Sequence, residues 1–151
     1  MLKVDTIFVY GTLKRNQLRG QLWPHPPVEI RPAVIRASLY DLGPYPAIGP
    51  GDDYVFGEAW RLLEAHMQPT LEVLDQIEGY DALIKNNEYL RVLAEIIYED
   101  GSVGEAHTYQ FAAKDRLVRF RRMVPNFLFR DLLTAKWPDP LSHVPRSFEE
   151  E

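Results

Sequence analysis

The feature that most constrains the fold is a β-branched and aromatic run, residues 4–10, that stops abruptly at Gly11. Every second residue of this run is β-branched or aromatic, which predicts a buried strand. Thr12 is a suitable N-cap for the polar segment that follows. A strand that ends in a glycine turn directs successive main-chain N–H groups outward, which forms a small concavity for an anion or a carbonyl oxygen. The alternative is an ordinary strand end without a ligand.

The length and composition narrow the class of protein. A chain of 151 residues with 46% hydrophobic and 26% charged residues is typical of one globular domain. The net charge of −5 argues against nucleic-acid binding, because nucleic-acid-binding proteins usually carry a basic face. No apolar run is long enough to span a membrane and no signal peptide precedes the first strand, so we expect a cytoplasmic protein. The absence of cysteine excludes a thiol nucleophile, and the four scattered histidines lack metal-ligand spacing, so we expect no metal.

The rest of the chain alternates between strands and turns, with one internal helix. Further strands are predicted at 33–42, 55–63, 89–98 and 105–111. The segment 43–51 is rich in proline and glycine, which indicates either a stiff loop that forms a pocket wall or a plain turn. Asp100-Gly101 predicts a tight hairpin turn. A C-terminal helix is predicted at 126–137.

Two acidic residues are candidates for proton transfer. A helix is predicted over 70–77, with Pro69 in its first turn and Gly79 just past its end. Glu78 therefore lies at a helix C-terminus, where the helix dipole disfavours negative charge and raises the pKa. The ordinary alternative is a surface acid. Glu58 is the second candidate: it shares a strand face with aromatic residues, so it needs a partner or a partly wet surface.

Two groups of basic residues require less specific explanations. Lys14, Arg15 and Arg19 either attract an anionic substrate or form a solvated face, and the solvated face is the simpler interpretation. The arginines between 116 and 122 are interpreted as solvated surface.

Several short motifs then combine into a resemblance to a known family. Tyr10-Gly11-Thr12-Leu13, Leu74-Asp75-Gln76-Ile77-Glu78-Gly79 and Tyr89-Leu90-Arg91-Val92 occur in that order. Between the first two lie Leu42-Gly43-Pro44-Tyr45-Pro46 and Val55-Phe56-Gly57-Glu58-Ala59-Trp60. Together they resemble the signatures of γ-glutamylcyclotransferase-like proteins, including the AIG2-like γ-glutamylamine cyclotransferases. Each motif alone is weak, but their shared order and spacing across 5–111 make the resemblance specific.

The resemblance implies a fold and an activity. The family fold is α+β, a small curved and partly closed β-barrel with flanking helices. The family reaction, an acyl-transfer or lyase-type cyclisation, converts a γ-glutamyl amine or amino acid to 5-oxoproline without a cofactor. The resemblance assigns Glu78 as general acid/base and the loop of Tyr10, Gly11, Thr12 and Leu13 as the site for the γ-glutamyl head. Tyr89 would line the site and could donate a hydrogen bond there, and Arg91 would pair with a carboxylate of either the protein or the substrate.

Departures from the family pattern leave several alternatives open. Thr12 replaces a frequent serine, and the segment 23–27 and the residues after 111 exceed the family core. We expect a family domain at 1–115 and a C-terminal extension at 116–151 that packs on it and frays at its end, or that serves protein interaction. The leaving group is a free amino acid, an amine, a lysine ε-amine or an antibiotic intermediate. A small-molecule binding protein with the same pocket is the alternative to an enzyme, and the sequence does not indicate the oligomeric state.

Overall fold

The computed structural model describes residues 4–83 and 87–138, in which five strands form a closed ring. They are β1 (Thr6–Val9), β2 (Glu29–Asp41), β3 (Pro46–Arg61), β4 (Tyr89–Tyr98) and β5 (Val103–Phe111). Their order is β2-β4-β5-β1-β3, and the ring closes because β3 also pairs with β2. Within the ring only β1 and β5 are parallel. The predicted α+β fold around a small barrel is confirmed.

The alternation in β1 separates two hydrophobic layers. Phe8 points into the barrel, where it belongs to a buried cluster that includes alanines 33, 59 and 106. Ile7 and Val9 point outward and pack in a second cluster with the buried face of the internal helix. Small side chains around a large aromatic ring fill a narrow barrel without voids. The first strand is therefore buried on both faces, as its apolar run predicts.

The internal helix, α1 (Glu64–Glu78), is longer than predicted. The sequence predicted 70–77 with Pro69 in the first turn, but the helix begins six residues earlier and Pro69 lies inside it. Proline has no N–H group, so Pro69 cannot donate the helical hydrogen bond to the carbonyl oxygen of Ala65. Both residues are exposed, so water can donate to that oxygen instead. The buried residues follow helical spacing: Met67, Thr70, Leu71 and Leu74.

The predicted loop over 43–51 is wrong for most of its length. The turn is short and is closed by a hydrogen bond from Leu42 N to Tyr45 O (3.0 Å). From Pro46 onward the chain is already β3 and pairs with β2. The prolines are tolerated because Pro46 opens the strand and Pro50 lies where the register shifts opposite residues 36–38. The residues of the segment do not indicate this pairing, because the partner strand β2 lies elsewhere in the sequence.

The predicted C-terminal helix over 126–137 is also wrong. The segment contains β7 (Phe127–Phe129) and β8 (Leu132–Ala135), which form a hairpin, and β8 adds to β3 in parallel. Before the hairpin come a short helix α2 (Lys114–Leu117) and β6 (Arg121–Arg122), which pairs with β2. Two rings of β7 pack edge-on against Phe56 at centroid distances of 6.0 Å, and this contact favours strand over helix.

Residues after 115 contribute to the barrel interior. Met123, Ala135 and Trp137 are buried in the same cluster as Phe8. The buried Lys14 Nζ donates a hydrogen bond to the main-chain oxygen of Trp137 (2.5 Å). The turn after β1 is therefore joined directly to the last described residues. The predicted fraying of the chain end concerns residues outside the described part.

None of the helices in residues 4–83 and 87–138 combines the length and the apolar character that a membrane crossing needs.

Candidate active site

A cavity of about 140 Å³ opens between the end of β1 and the C-terminus of α1. Its lining includes Phe8, Val9, Tyr10, Gly11, Thr12, Leu13, Arg19, Tyr45, Pro46, Ile77, Glu78, Glu88, Tyr89 and Tyr109. It thus brings together all of the predicted site residues except Arg91. The size is comparable to that of cavities that hold one benzene-sized group. A second, wider cavity of about 640 Å³ between β2 and β4 is lined by none of the predicted site residues.

The turn after β1 presents unpaired main-chain donors. Among the described residues, the N–H groups of Gly11, Thr12 and Leu13 donate no hydrogen bond. Their three carbonyls all accept one: Gly11 O from Lys14 N (3.1 Å), Thr12 O from Arg19 N (2.7 Å) and Leu13 O from Trp23 Nε1 (3.0 Å). The carbonyls are thus occupied within the protein, while the N–H groups remain available for an anion or a carbonyl oxygen.

Gly11 is required by a close approach to β3. A Cβ atom at this position would lie 2.7 Å from Cγ and 2.8 Å from Cδ of Pro46. Because the pyrrolidine ring is rigid, either the turn or the start of β3 would have to move to admit a side chain. The neighbour that requires glycine at position 11 is thus Pro46, which lines the same cavity.

Glu78 ends α1, and Gly79 follows with a positive φ of 71° that closes the helix. No described residue donates a hydrogen bond to the Glu78 carboxylate or forms an ion pair with it. Burial raises the pKa of Glu78 to about 7, Arg19 acts in the opposite direction, and Glu88 raises it further. The direction agrees with the prediction from the helix end, but burial is the largest cause. A carboxyl group of this pKa can exchange a proton near neutral pH.

Four tyrosines line the cavity, and the hydroxyl hydrogens of three of them are committed within the protein. Tyr10 donates to Tyr109 O (2.7 Å), Tyr89 donates to Pro46 O (3.0 Å), and Tyr109 donates to Asp75 Oδ1 (2.6 Å). Burial raises the pKa of all three hydroxyls above their usual range, so they remain protonated. The predicted donor role of Tyr89 is thus directed at the protein. Toward a ligand, the oxygens of Tyr89 and Tyr109 are free to accept.

Arg91 lies outside the cavity lining, and its guanidinium pairs with a carboxylate of the protein. Arg91 Nε lies 2.9 Å from Asp75 Oδ1, the same oxygen that accepts the Tyr109 hydroxyl. His107 Nδ1 is 3.4 Å from Arg91 NH1, and burial with the neighbouring guanidinium lowers the pKa of His107. Of the two partners left open by the sequence, the structure shows the one within the protein. Arg91 touches the site only through Asp75 and Tyr109.

The second candidate acid, Glu58, is fully partnered and does not line the cavity. Its carboxylate accepts from Arg15 N (2.9 Å) and Trp60 Nε1 (3.1 Å), and Arg15 Nε lies 3.3 Å from its other oxygen. The predicted need for a partner is confirmed.

The three basic residues after Gly11 do not form a common face. Lys14 is buried, and burial lowers its pKa to about 8. Arg15 pairs with Glu58, and Arg19 lines the cavity. The interpretation as a solvated face is therefore wrong for Lys14, and for Arg19 the position in the cavity lining favours the alternative of a role near an anionic substrate.

Tyr45 and Pro46 also line the cavity, in agreement with the alternative that the segment 43–51 forms a pocket wall. Sequence reasoning missed Glu88 and Tyr109 as lining residues. A signal for Tyr109 was present, because a hairpin closed at Asp100-Gly101 sets Tyr109 opposite Arg91. Glu88 lies just before β4, where no periodicity indicates direction.

Among the described residues, no cluster of three or more His, Cys, Asp or Glu side chains is arranged to hold a metal ion.

Comparisons with known proteins agree on one family. A family model described as gamma-glutamyl cyclotransferase, AIG2-like, matches residues 7–125. A Vibrio cholerae protein provisionally named gamma-glutamylcyclotransferase is 32% identical over 75 residues, and the match spans 47% of this chain and 62% of that protein.

Two solved structures share the fold. An AIG2-like protein from Mus musculus superimposes with a TM-score of 0.61 at 23% identity, over 80% of this chain and 86% of that chain. YkqA from Bacillus subtilis superimposes with a TM-score of 0.53 at 21% identity, over 72% of this chain and 36% of that chain. At these identities the likeness concerns the fold.

Proposed function

Because this chain belongs to the AIG2-like gamma-glutamyl cyclotransferase family, we propose that it converts a γ-glutamyl amine or γ-glutamyl amino acid to 5-oxoproline. The released product is the amine or amino acid. The observation that carries the proposal is a Glu78 carboxyl without a partner among the described residues, with its pKa raised to about 7. It lies in the same cavity as three main-chain N–H groups that donate to none of those residues.

The reaction needs positioning and proton transfer rather than a protein nucleophile. The α-amine of the substrate attacks its own γ-carbonyl carbon, a new carbon–nitrogen bond closes the ring, and the bond to the leaving nitrogen breaks. Two protons leave the α-ammonium group, because the ring nitrogen of 5-oxoproline keeps one of its three. One of the two is delivered to the leaving nitrogen so that it departs as an amine, and the other protonates the released amine or passes to solvent. Holding the substrate folded back on itself removes several kcal/mol of the barrier. The chemistry is complete without a cofactor.

Glu78 is the proposed carrier of the proton. The α-ammonium group has an ordinary pKa of about 8, close to the value of about 7 for Glu78, so transfer between them is nearly balanced in free energy. Glu78 then returns the proton to the leaving nitrogen. An acid with a much lower pKa would be a weaker base for the first step.

The remaining lining groups fit the polarity of a γ-glutamyl head. The free N–H groups of Gly11, Thr12 and Leu13 would stabilise the oxygen that becomes negative when the γ-carbonyl is attacked, or would hold the carboxylate. The hydroxyl oxygens of Tyr89 and Tyr109 can only accept, which suits an ammonium group. The cavity thus offers N–H donors for the carboxylate and hydroxyl oxygens as acceptors for the ammonium group of an amino-acid head.

The test is turnover of a panel containing γ-glutamyl amino acids, γ-glutamyl amines and γ-glutamyl-ε-lysine, with 5-oxoproline measured by mass spectrometry. Glu78→Gln is the inactive variant. Glu72→Gln, an exposed acid on the same helix, is its matched control. We expect release of 5-oxoproline by the wild type and by Glu72→Gln but not by Glu78→Gln.

The same panel separates an enzyme from a binding protein. Thermal stabilisation by panel members without release of 5-oxoproline would support the binding protein and reject the proposed reaction. Full turnover by Glu78→Gln would retain the reaction but reject Glu78 as its acid/base.

A further inference from the structure

Arg19 lines the cavity beside Glu78 and has no part in the cyclisation proposed above. Its main chain is fixed, since Arg19 N donates to Thr12 O (2.7 Å) and Arg19 O accepts from Leu22 N (3.1 Å). Its side chain is half-buried, and no carboxylate of the described residues lies within ion-pair distance of the guanidinium. A partly desolvated guanidinium without a counter-ion is a ready site for a carboxylate of a ligand.

The position of Arg19 indicates which end of a substrate it meets. Gly11, Thr12 and Leu13 are buried, whereas Arg19 is half-buried and Glu88 is exposed. The main-chain donors therefore lie at the closed end of the cavity, and Arg19 and Glu88 lie at its rim. A head group that reacts away from water belongs at the closed end, and the leaving group must depart through the rim.

The chemistry of the leaving group brings a carboxylate to this rim. In a γ-glutamyl amino acid, the nitrogen that receives the proton from Glu78 is bonded directly to the carbon that carries the leaving group's α-carboxylate. That carboxylate therefore lies close to Glu78. Arg19 is near enough to Glu78 to act on its charge, so the guanidinium and the carboxylate fall in the same region.

We propose that Arg19 binds the α-carboxylate of the leaving amino acid and makes this protein selective for γ-glutamyl α-amino acids over γ-glutamyl amines. The inference rests on the proposed cyclotransferase function. A guanidinium holds a carboxylate through two parallel hydrogen bonds. A simple amine leaving group would shield the Arg19 guanidinium from water without supplying a counter-ion, which costs free energy. γ-Glutamyl-ε-lysine belongs with the amines, because its free carboxylate is displaced along the lysine side chain.

The test uses two substrates that differ only in the carboxylate, γ-glutamylalanine and γ-glutamylethylamide. We expect Arg19→Gln to lower kcat/KM for γ-glutamylalanine by about 10- to 100-fold, the range for a lost charge-assisted hydrogen bond. For γ-glutamylethylamide the change should stay below about threefold when both substrates are assayed at pH 9, where Glu78 is ionised even without the opposing charge of Arg19. Arg19→Lys keeps the charge and should recover part of the loss. Arg36→Gln, which removes an exposed arginine paired with Asp52, is the control and should leave kcat/KM unchanged for both substrates.

An equal fall for both substrates would overturn the proposal, because Arg19 would then serve the shared γ-glutamyl head. No fall for γ-glutamylalanine would overturn it as well. If the wild type releases 5-oxoproline from neither, the proposed reaction fails, and thermal stabilisation by the same two compounds decides the role of Arg19. Greater stabilisation by γ-glutamylalanine that disappears in Arg19→Gln supports the assignment, whereas equal stabilisation rejects it.

Discussion

Glu58, in β3, is buried and Glu78, at the end of α1, is half-buried, and their carboxylates have opposite surroundings. Glu58 accepts two N–H hydrogen bonds and lies 3.3 Å from the Arg15 guanidinium. Glu78 has no such partner among the described residues and faces a cavity. A carboxylate whose lone pairs are occupied is stabilised as a charge and holds structure together. One without partners is stabilised as the neutral acid, which makes it available for proton transfer.

The largest expected effect is on kcat, which should fall when Glu78 is replaced but not when Glu58 is replaced. Glu78→Gln should lower kcat by about 10²- to 10⁴-fold, the usual contribution of a general acid/base, because glutamine cannot carry the proton. Glu58→Gln should change kcat by less than about threefold. Steady-state release of 5-oxoproline from the best panel substrate measures both variants. Comparable losses in the two would remove the distinction between them.

The fall of kcat/KM at low pH should follow the ionisation of Glu78 and not that of Glu58. Because burial raises its pKa to about 7 and the first step needs the ionised form, kcat/KM should fall about tenfold per pH unit below this value. The measurement is kcat/KM from pH 5 to 9 for the wild type and Glu58→Gln, which should share one profile. A low-pH limb centred near pH 4 in the wild type would contradict the raised pKa.

Stability should depend on Glu58. Glu58→Gln removes the charge that Arg15 and Trp60 contact, so we expect the free energy of unfolding to fall by about 1–3 kcal/mol. Urea denaturation at pH 8 measures the loss. Glu29→Gln, which alters an exposed pair with Arg61, is a matched control and should cost less than about 1 kcal/mol. A neutral Glu58→Gln would show that its hydrogen bonds contribute little.

The smallest expected effect is a gain in stability, in the variant Glu78→Gln. Folded Glu78 keeps its proton up to about pH 7, whereas in the unfolded chain it loses the proton near pH 4.5, so the free energy of unfolding falls as pH rises between these values. Glu78→Gln avoids this cost and should stabilise the protein by about 1 kcal/mol at pH 8. The gain should disappear at pH 4. Urea denaturation at the two pH values tests it, and destabilisation at pH 8 would imply an undetected partner of Glu78.

Local patterns in the sequence were sufficient where the structure is made by local contacts. The strand that ends at Gly11, the end of α1 at Gly79 and the hairpin around Gly101 all depend on nearby residues. The family resemblance supplied Glu78 and the Gly11 loop as site residues, which the cavity brings together.

The errors arose where a distant strand decides the outcome. The segment 46–51 is extended because it pairs with β2. The segment 127–135 forms a hairpin because β8 pairs with β3 and the rings of β7 pack against Phe56. Arg19 follows a turn whose direction is set by its hydrogen bond to Thr12. None of these partners can be read from the segment itself.

The hydrogen bond between Lys14 and Trp137 has a consequence for protein synthesis. Its two ends are 123 residues apart in the chain, and β1 itself pairs only with the later strands β3 and β5. The turn after β1 is therefore synthesised before β3, β5 and Trp137, on which its final position depends. Long-range pairing of this kind slows folding. We propose that residues 116–138 belong to the same folding unit as the described residues before them, so the turn after β1 gains its final contacts only after Trp137 has been synthesised.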